Sequence, residues 1–397
     1  MSSADAGNPR VSIVRAADYD LALLRPAIER GLDMIGGLGS IVRPGSRVLV
    51  KINHLSPASE AERGIVTHPV FVEAVLELLK NTGADITVGD DIGVEVEDGF
   101  QVSGIRQMCQ RAEVRLINLR EQGFVETPCH GRVLERVYVS SAVLDADVIV
   151  NLPKLKTHSL TTLTGAVKNM YGIIPQGLRQ SYHYQYMKVD DFSQVLTDVF
   201  SMAVPRLNIM DAIVAMQGEG PSDGKLRTMG LVLASRDAVA LDAVATRIVG
   251  GEPFEILTTR FAHERGLGTG DLDRIDIAVD KLDEVAVSDF KFPASAAAAL
   301  TRRVPGFIRR PLDRQLAVRP VVIRKQCTLC LECVNVCPTG AATQRGDAAY
   351  IDHHLCIGCM CCHEVCRYHA IRPTRPVAGR VMASVINALR RLWARVR

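Results

Sequence analysis

Apolar positions along the first 280 residues alternate between two periods. Short aliphatic runs at 11–14, 47–52 and 86–89 predict buried strands, since a strand covered on both faces reads as continuously apolar. Between the first two runs, Leu21, Leu24, Ile28, Leu32 and Ile35 recur every three or four residues, which puts them on one face of a helix over 21–35. A second helix is expected over 69–81, with Pro69 in the first turn, where its missing N–H is not needed. Further strands are expected at 114–119, 133–139, 148–152, 207–213 and 231–234, and helices at 191–204, 237–249 and 254–264. The alternation predicts an α/β domain over 1–285, with a mostly parallel sheet flanked by helices. In such sheets ligands bind beyond the carboxyl ends of the strands, so polar residues that follow strands are the ones to watch.

Two glycine clusters, Gly36, Gly37 and Gly39, then Gly266, Gly268 and Gly270, follow helices rather than strands and read as helix ends. Asp237 is placed to cap the helix that follows it. After 285 the pattern breaks. Residues 294–300 form an Ala-rich helical patch and 302–319 are punctuated by Arg and Pro, so 286–324 reads as a linker or clamp. Residues 325–373 are a small cysteine-rich unit, and 375–397 close the chain as a basic amphipathic helix.

Composition adds compartment and partners. Of 397 residues, 47% are hydrophobic and 23% charged, as in a globular protein. The apolar runs are too short to cross a bilayer. The first ten residues are polar and show no export signal, so a cytoplasmic protein with reduced thiols is expected. Eleven cysteines then argue for metal rather than disulfides. Residues 301–397 hold 17 Lys and Arg against 5 Asp and Glu, whereas the other 300 residues hold 30 against 39. In the last helix, Val381, Met382, Val385, Ile386, Leu389, Leu392, Trp393 and Val396 fall at helical spacing among Arg390, Arg391, Arg395 and Arg397, with no acid from 375 onward. This suits an interfacial helix at an anionic membrane surface. Packing on the protein's own body or on a second copy in a homo-oligomer is the alternative. No recognition motif or stacking platform accompanies the charge, so nucleic acid is not an expected partner.

The cysteine spacing carries the strongest chemistry. Cys327, Cys330, Cys333 and Cys337 are spaced two, two and three residues apart and followed by Pro338; Cys356, Cys359, Cys362 and Cys366 repeat the spacing, with Arg367 where proline usually follows. This is the run that holds two [4Fe–4S] clusters in bacterial ferredoxins, which 325–373 resembles, and in which the fourth cysteine of each motif ligates the other cluster. One cluster is expected on Cys327, Cys330, Cys333 and Cys366, the other on Cys356, Cys359, Cys362 and Cys337. Soft thiolates suit iron–sulfur clusters, and two such quartets speak against zinc. Cys361 reads as a bystander thiol. The expected unit is a small α+β ferredoxin-like domain that moves electrons one at a time.

Five segments of the large domain put polar groups where a ligand could sit. They contain Lys51 and Asn53 with Thr67 and His68; Asp90 and Asp91; Lys154, Lys156 and His158; Lys168 and Asn169; and Asp211 with Glu219. Lys154, Lys156, His158 and Lys168 gather positive charge after a strand, which suits a carboxylate or phosphate, with His158 able to exchange a proton near neutral pH. Glu219, in a glycine-flanked loop, could act as acid or base, and Asp90 and Asp91 could orient the lysines or bind a cation. The candidate catalytic residues are thus His158, Glu219 and Lys168. The candidate substrate-binding residues are Lys51, Asn53, His68, Asp90, Lys154, Lys156 and Asn169. A solvated lysine-rich loop is the plain alternative, and His54, His130 and His263 read as structural or exposed. No phosphate loop, flavin fingerprint or nicotinamide fingerprint is visible. A flavin or further metal held without a recognisable motif stays compatible with the sequence.

Taken together, the segments 48–53, 67–69, 88–90, 151–158, 165–169, 218–221 and 235–242 resemble the iron–sulfur family called DUF362, over roughly 10–280. The first segment departs from the family at Ile52, where proline is usual. The resemblance implies the α/β architecture and the appended ferredoxin-like domain, more than it implies a reaction. At fold level a more distant similarity to nickel-dependent lactate racemases says little about chemistry. Three functions follow as expectations. The first is an oxidoreductase passing electrons through the clusters, to or from a small anionic substrate in the α/β domain, with a redox partner protein. The second is a non-enzymatic carrier or adaptor docking a partner protein. The third is a non-redox enzyme or sensor with structural or regulatory clusters. In each case the protein is expected in the cytoplasm, free or held peripherally at the membrane surface.

Overall fold

Runs buried on both faces build the centre of the large domain. In chain order the strands are β1 (Arg10–Arg15), β2 (Arg47–Ile52), β3 (Asp85–Asp90), β4 (Arg115–Asn118), β5 (Phe124–Pro128), β6 (Arg136–Ser140), β7 (Val148–Leu152), β8 (Lys154–His158), β9 (Thr162–Thr164), β10 (Leu207–Gln217), β11 (Lys225–Ser235) and β12 (Asp276–Val279). These come from a computed structural model, which describes residues 7–55, 59–92, 98–186, 188–293, 319–337, 339–356, 358, 360–366 and 368–374. The expected patch at 294–300, the Arg- and Pro-rich stretch to 318, and the basic helix over 375–397 lie outside the described residues.

The main sheet runs in the order β12-β1-β11-β10-β7-β2-β3-β4, with β8 also on β10 and β9 on β8. From β10 to β4 every neighbour is parallel, and β11 lies antiparallel between β10 and β1. Strand side chains alternate between faces, so β2 sends Val48, Val50 and Ile52 into one core and Leu49 into the other. The first core takes helix Leu21–Met34 and helix Pro69–Lys80; the second takes helix Val189–Met202 and helix Ala238–Ile248. The result is the helix–sheet–helix layering expected from the alternation. Gly31 lets the first helix lie close on β1, since a Cβ there would stand 3.0 Å from Val14 and 3.1 Å from Ser12. Asp237 caps its helix by accepting from the N–H groups of Val239 and Ala240, and Gly36, Gly37 and Gly266 take positive φ at helix ends.

Several elements differ from expectation for local reasons. Strands β10 and β11 extend well past the expected runs, because they pair with each other as a long antiparallel ribbon rather than ending at a helix. Lys154–His158 is a strand rather than a loop. Pro153 separates it from β7, after which β8 pairs anew with β10 and with β9. All five of its residues are buried, four of them polar, so the apolar signal of a strand is absent. Residues 254–264 split into a turn at Pro253–Glu255 and helix Leu257–Glu264. Residues 286–293, expected in the linker, pack on the large domain: Phe290 enters its core and the Val287 N–H donates to Ile248 O.

The cysteine-rich unit begins earlier than expected, at β13 (Arg319–Val322), which pairs antiparallel with β16 (Ile371–Thr374). Inside this frame lie the hairpin of β14 (Ala342–Arg345) and β15 (Ala348–Ile351) and two short helices, Glu332–Asn335 and Cys361–Glu364. Among the described residues no helix is long and apolar enough to cross a membrane.

Candidate functional site

The two helices of the small domain start alike. Leu331 and Met360, the residues just before them, have φ of 63° and 64°, a left-handed conformation rare for bulky side chains. Each such residue costs about 1–3 kcal/mol and persists only where its surroundings impose it. Here the turn carries the chain from one cysteine to the next. Cys327, Cys330, Cys333 and Cys366 line one small cavity with Val322, Ala349 and Ile371. Thus the last cysteine of the second motif joins the first three of the first, as the ferredoxin spacing implies.

The donor set fits an iron–sulfur cluster. Burial, then the proximity of Cys366, Cys330 and Cys327, pushes the Cys333 thiol up to about 11; crowded thiolates of this kind are stabilised by cationic iron. Backbone N–H groups of Ala349 and Ala370 reach the sulfurs of Cys327 and Cys366 at 3.4 and 3.2 Å, and those of Ala342 and Gly358 reach Cys337 and Cys356 at 3.4 Å. Such bonds disperse negative charge on ligating sulfur and tune cluster potential. Cys337, Cys356 and Cys362 pack in the same small core; Cys359, their expected fellow ligand, lies outside the described residues.

In the large domain the ends of β2, β3 and β8 open on a small cleft, at the carboxyl ends of parallel strands as sheet geometry favours. Its lining holds four basic side chains, Lys51, Lys156, Lys168 and Arg179, against Asp90, with Asp91 just behind. Lys51 and Asp90 form a buried pair at 2.8 Å. Burial lowers the Lys51 pKa and the Asp90 carboxylate opposes that shift. The other Asp90 bonds come from the N–H groups of His54 at 2.8 Å and Asp91 at 2.7 Å. Asp91 takes Arg120 at 2.7 Å and also Arg179. The two aspartates therefore orient cations. Lys156, 1% exposed, donates to Ile65 O at 2.6 Å. His158 Nδ1 accepts from the N–H groups of Leu160 and Thr161, so the neutral ring carries its proton on Nε2.

Buried anchors hold the Lys168 segment. Asp242 accepts from the N–H groups of Ala166 at 2.6 Å and Val167 at 3.0 Å, which fixes the turn bearing Lys168 and Asn169. Burial pushes its carboxyl up to about 7, against the pull of those two donors. Gly165 has no room for a Cβ beside Asp242. At Gly172 a Cβ would stand 2.7 Å from Asp90 Oδ1 and 3.0 Å from Lys51 Nζ, so only glycine lets this backbone cover the pair.

Of the ten candidates named from the large domain's sequence, Lys51, Asn53, Asp90, Lys156, His158, Lys168 and Asn169 line the cleft. Lys154, His68 and Glu219 are not among its lining. Lys154 is buried against Asp211 at 2.7 Å and Tyr19 at 2.7 Å. His68 stacks on Tyr19 and caps helix Pro69–Lys80, accepting from Val70 N. Glu219 sits two residues from Pro221, which does line the cleft. Beyond these candidates, His54, Thr164, Tyr171 and Arg179 also line the cleft. His54 follows Asn53 directly and could have been found on that ground. Arg179 comes from helix Gln176–Gln185, whose polar sequence gave no core-facing signal.

The small domain meets the same loop. Asp223, two residues past Pro221, pairs with His369 Nδ1 at 2.8 Å and lies 4.0 Å from His363 Nε2. The other ring nitrogen of His369 faces the Arg63 guanidinium, which only donates, so His369 accepts there and donates from Nδ1 to Asp223. One loop thus touches both the cleft and the cysteine domain, through residues three and seven positions past Cys366 and Cys356 respectively.

Comparison with known proteins agrees with this division. The DUF362 family model, described as a domain of unknown function, matches residues 48–247. A 4Fe–4S binding domain matches twice, at 320–343 and 349–372. The thylakoid-associated protein sll1697 of Synechocystis is 30% identical over 314 residues, covering 76% of this chain and 97% of that protein. A ferredoxin of Alicyclobacillus acidocaldarius is 41% identical over 54 residues, 13% of this chain and 69% of that protein. Among solved structures, the lactate racemase apoprotein of Thermoanaerobacterium thermosaccharolyticum aligns with a TM-score of 0.41 at 10% identity, over 59% of this chain and 55% of that one.

Proposed function

Because the chain belongs to the DUF362 family and holds two [4Fe–4S] clusters, we propose that it is an oxidoreductase that exchanges electrons with a small anionic substrate bound in the cleft of the large domain. Iron–sulfur electron transfer is the chemistry that the bound clusters supply, one electron at a time. The observation that carries the substrate reading is the shared loop: Pro221 lines the basic cleft and Asp223 holds the cluster domain. Lys156 and Lys168 supply charge for the anion, and His158 lines the cleft beside them. The Asp90 and Asp91 pairs keep Lys51 and Arg179 in place. The Gly165–Asn169 turn, pinned by Asp242, sets the position of Lys168.

The test is anaerobic. Dithionite-reduced protein is mixed with anionic fractions of a small-molecule extract, and cluster reoxidation is followed by absorbance. The wild type is expected to be reoxidised by one such fraction. Lys156→Ala is expected to slow this by about 100-fold, the usual cost of removing one charge-stabilising donor, with its cluster spectrum unchanged. Equal rates in the two proteins would remove the cleft from the reaction.

The Synechocystis relative is named for association with thylakoids, and residues 375–397 of this chain combine an apolar stripe with arginines and no acid. Peripheral attachment through that segment follows as part of the proposal. The full chain should float with vesicles containing phosphatidylglycerol, and an Arg390→Glu, Arg391→Glu, Arg395→Glu variant should stay at the bottom of the gradient. Flotation that survives these changes would argue against it.

A further inference from the structure

Four buried asparagines run in single file from the sheet to the cleft, and backbone carbonyls at Asn151 and Asn169 fix the direction of the file. Asn151 Nδ2 donates to Ala166 O at 3.0 Å and to Asn208 Oδ1 at 2.9 Å. Since Ala166 O can only accept, Asn151 must turn its Oδ1 the other way, where it takes Asn169 Nδ2 at 2.7 Å. Asn169 Nδ2 also reaches Ile52 O at 3.3 Å, a second acceptor-only group that fixes this amide in turn. Asn169 therefore shows its Oδ1 to Asn53, whose Nδ2 donates to it at 3.0 Å. The file ends at Asn53 Oδ1, a buried acceptor with no hydrogen-bond partner among the described residues, on a side chain that lines the cleft and is 8% exposed.

The next residue repeats the arrangement independently. His54 Nε2 lies 3.2 Å from Gly99 O and 3.1 Å from Ser103 Oγ, and that hydroxyl itself donates to Phe100 O. Both neighbours accept, so the His54 proton sits on Nε2 and Nδ1 keeps a bare lone pair. Nδ1 likewise has no partner among the described residues, and His54 is 6% exposed and lines the cleft. Burial pushes the ring down to about 4, so it stays neutral near pH 7.

A buried acceptor without a partner is destabilising, and a site that hydrogen-bonds a ligand O–H or N–H strongly rejects the analogue lacking it. We propose that the ligand of this cleft is a small oxyanion that carries its own hydrogen-bond donor, such as a protonated oxyacid or a hydroxy-carboxylate. The basic groups face its charge, while Asn53 Oδ1 or His54 Nδ1 takes its O–H or N–H. This rests on the anionic-substrate reading and narrows it.

Matched pairs of probes test it by calorimetry on the anaerobically purified full chain with its clusters, at constant ionic strength and pH about 7.5. Hydrogen phosphate has one O–H and sulfate has none; glycolate has a hydroxyl that acetate lacks. The donor-bearing member of at least one pair is expected to bind at least about tenfold tighter. Which pair discriminates tells a protonated oxyacid from a hydroxy-carboxylate. In at least one of Asn53→Ala and His54→Phe, the variant that removes the acceptor in use, that preference is expected to shrink toward unity. Equal binding within both pairs in the wild type would overturn the inference while leaving an anion site. A preference that persists undiminished in both variants would overturn it as well. Failure of all four probes to bind would remove the anion reading and this one with it. The wild-type comparison needs no variant to fold.

Discussion

Cys366→Ala is expected to remove the same cluster as Cys327→Ala. The two cysteines stand in different sequence motifs but line one cavity with Cys330 and Cys333. Each single variant should lose roughly half of the protein's iron and acid-labile sulfide, because one of two four-iron clusters has lost a thiolate. The Cys327→Ala, Cys366→Ala double variant should lose no more than either alone. Cys356→Ala combined with Cys366→Ala should lose nearly all iron. Were each motif to hold its own cluster, the pattern would invert: Cys356 and Cys366 would be redundant, and Cys327 and Cys366 additive. Iron and sulfide analysis of anaerobic preparations, with electron paramagnetic resonance of the reduced forms, decides between them.

Asp90→Ala is expected to destabilise the large domain by about 3–5 kcal/mol, the usual result of removing one partner from a buried ion pair. The substitution strands Lys51, 1% exposed, and leaves the N–H groups of His54 and Asp91 without their acceptor. Taking Lys51 to Met in the same chain should recover part of the loss, since no buried charge then lacks a counterion. Denaturant unfolding of the wild type and the two variants measures both steps. A loss below about 1 kcal/mol in the single variant would mean that water reaches this pair and that the cleft is wetter than its lining implies.

The cysteine spacing and the alternation of strand and helix were legible without coordinates. Thiolate ligation depends on short-range spacing, and apolar periodicity reports directly on which side chains are buried. The long β10–β11 ribbon was not legible over its full length, because half-exposed residues such as Lys225 and Arg227 obscure the period. Strand β8 was missed for the opposite reason, since its lysines are buried rather than solvated.

What the sequence determined alone is the chemistry on offer: two quartets of soft ligands, an α/β scaffold, and a surplus of lysine after a strand. The tertiary structure decided which of these groups act together. It drew Lys154 into a pair with Asp211, set His68 as a helix cap, and brought Lys156 and Lys168 to one cleft from separate elements. It also aligned four asparagines so that carbonyls distant in sequence from Asn151 and Asn169 orient the file that ends at Asn53. Hydrogen-bond direction depends on where acceptor-only groups lie in space, and one-dimensional spacing does not hold that information.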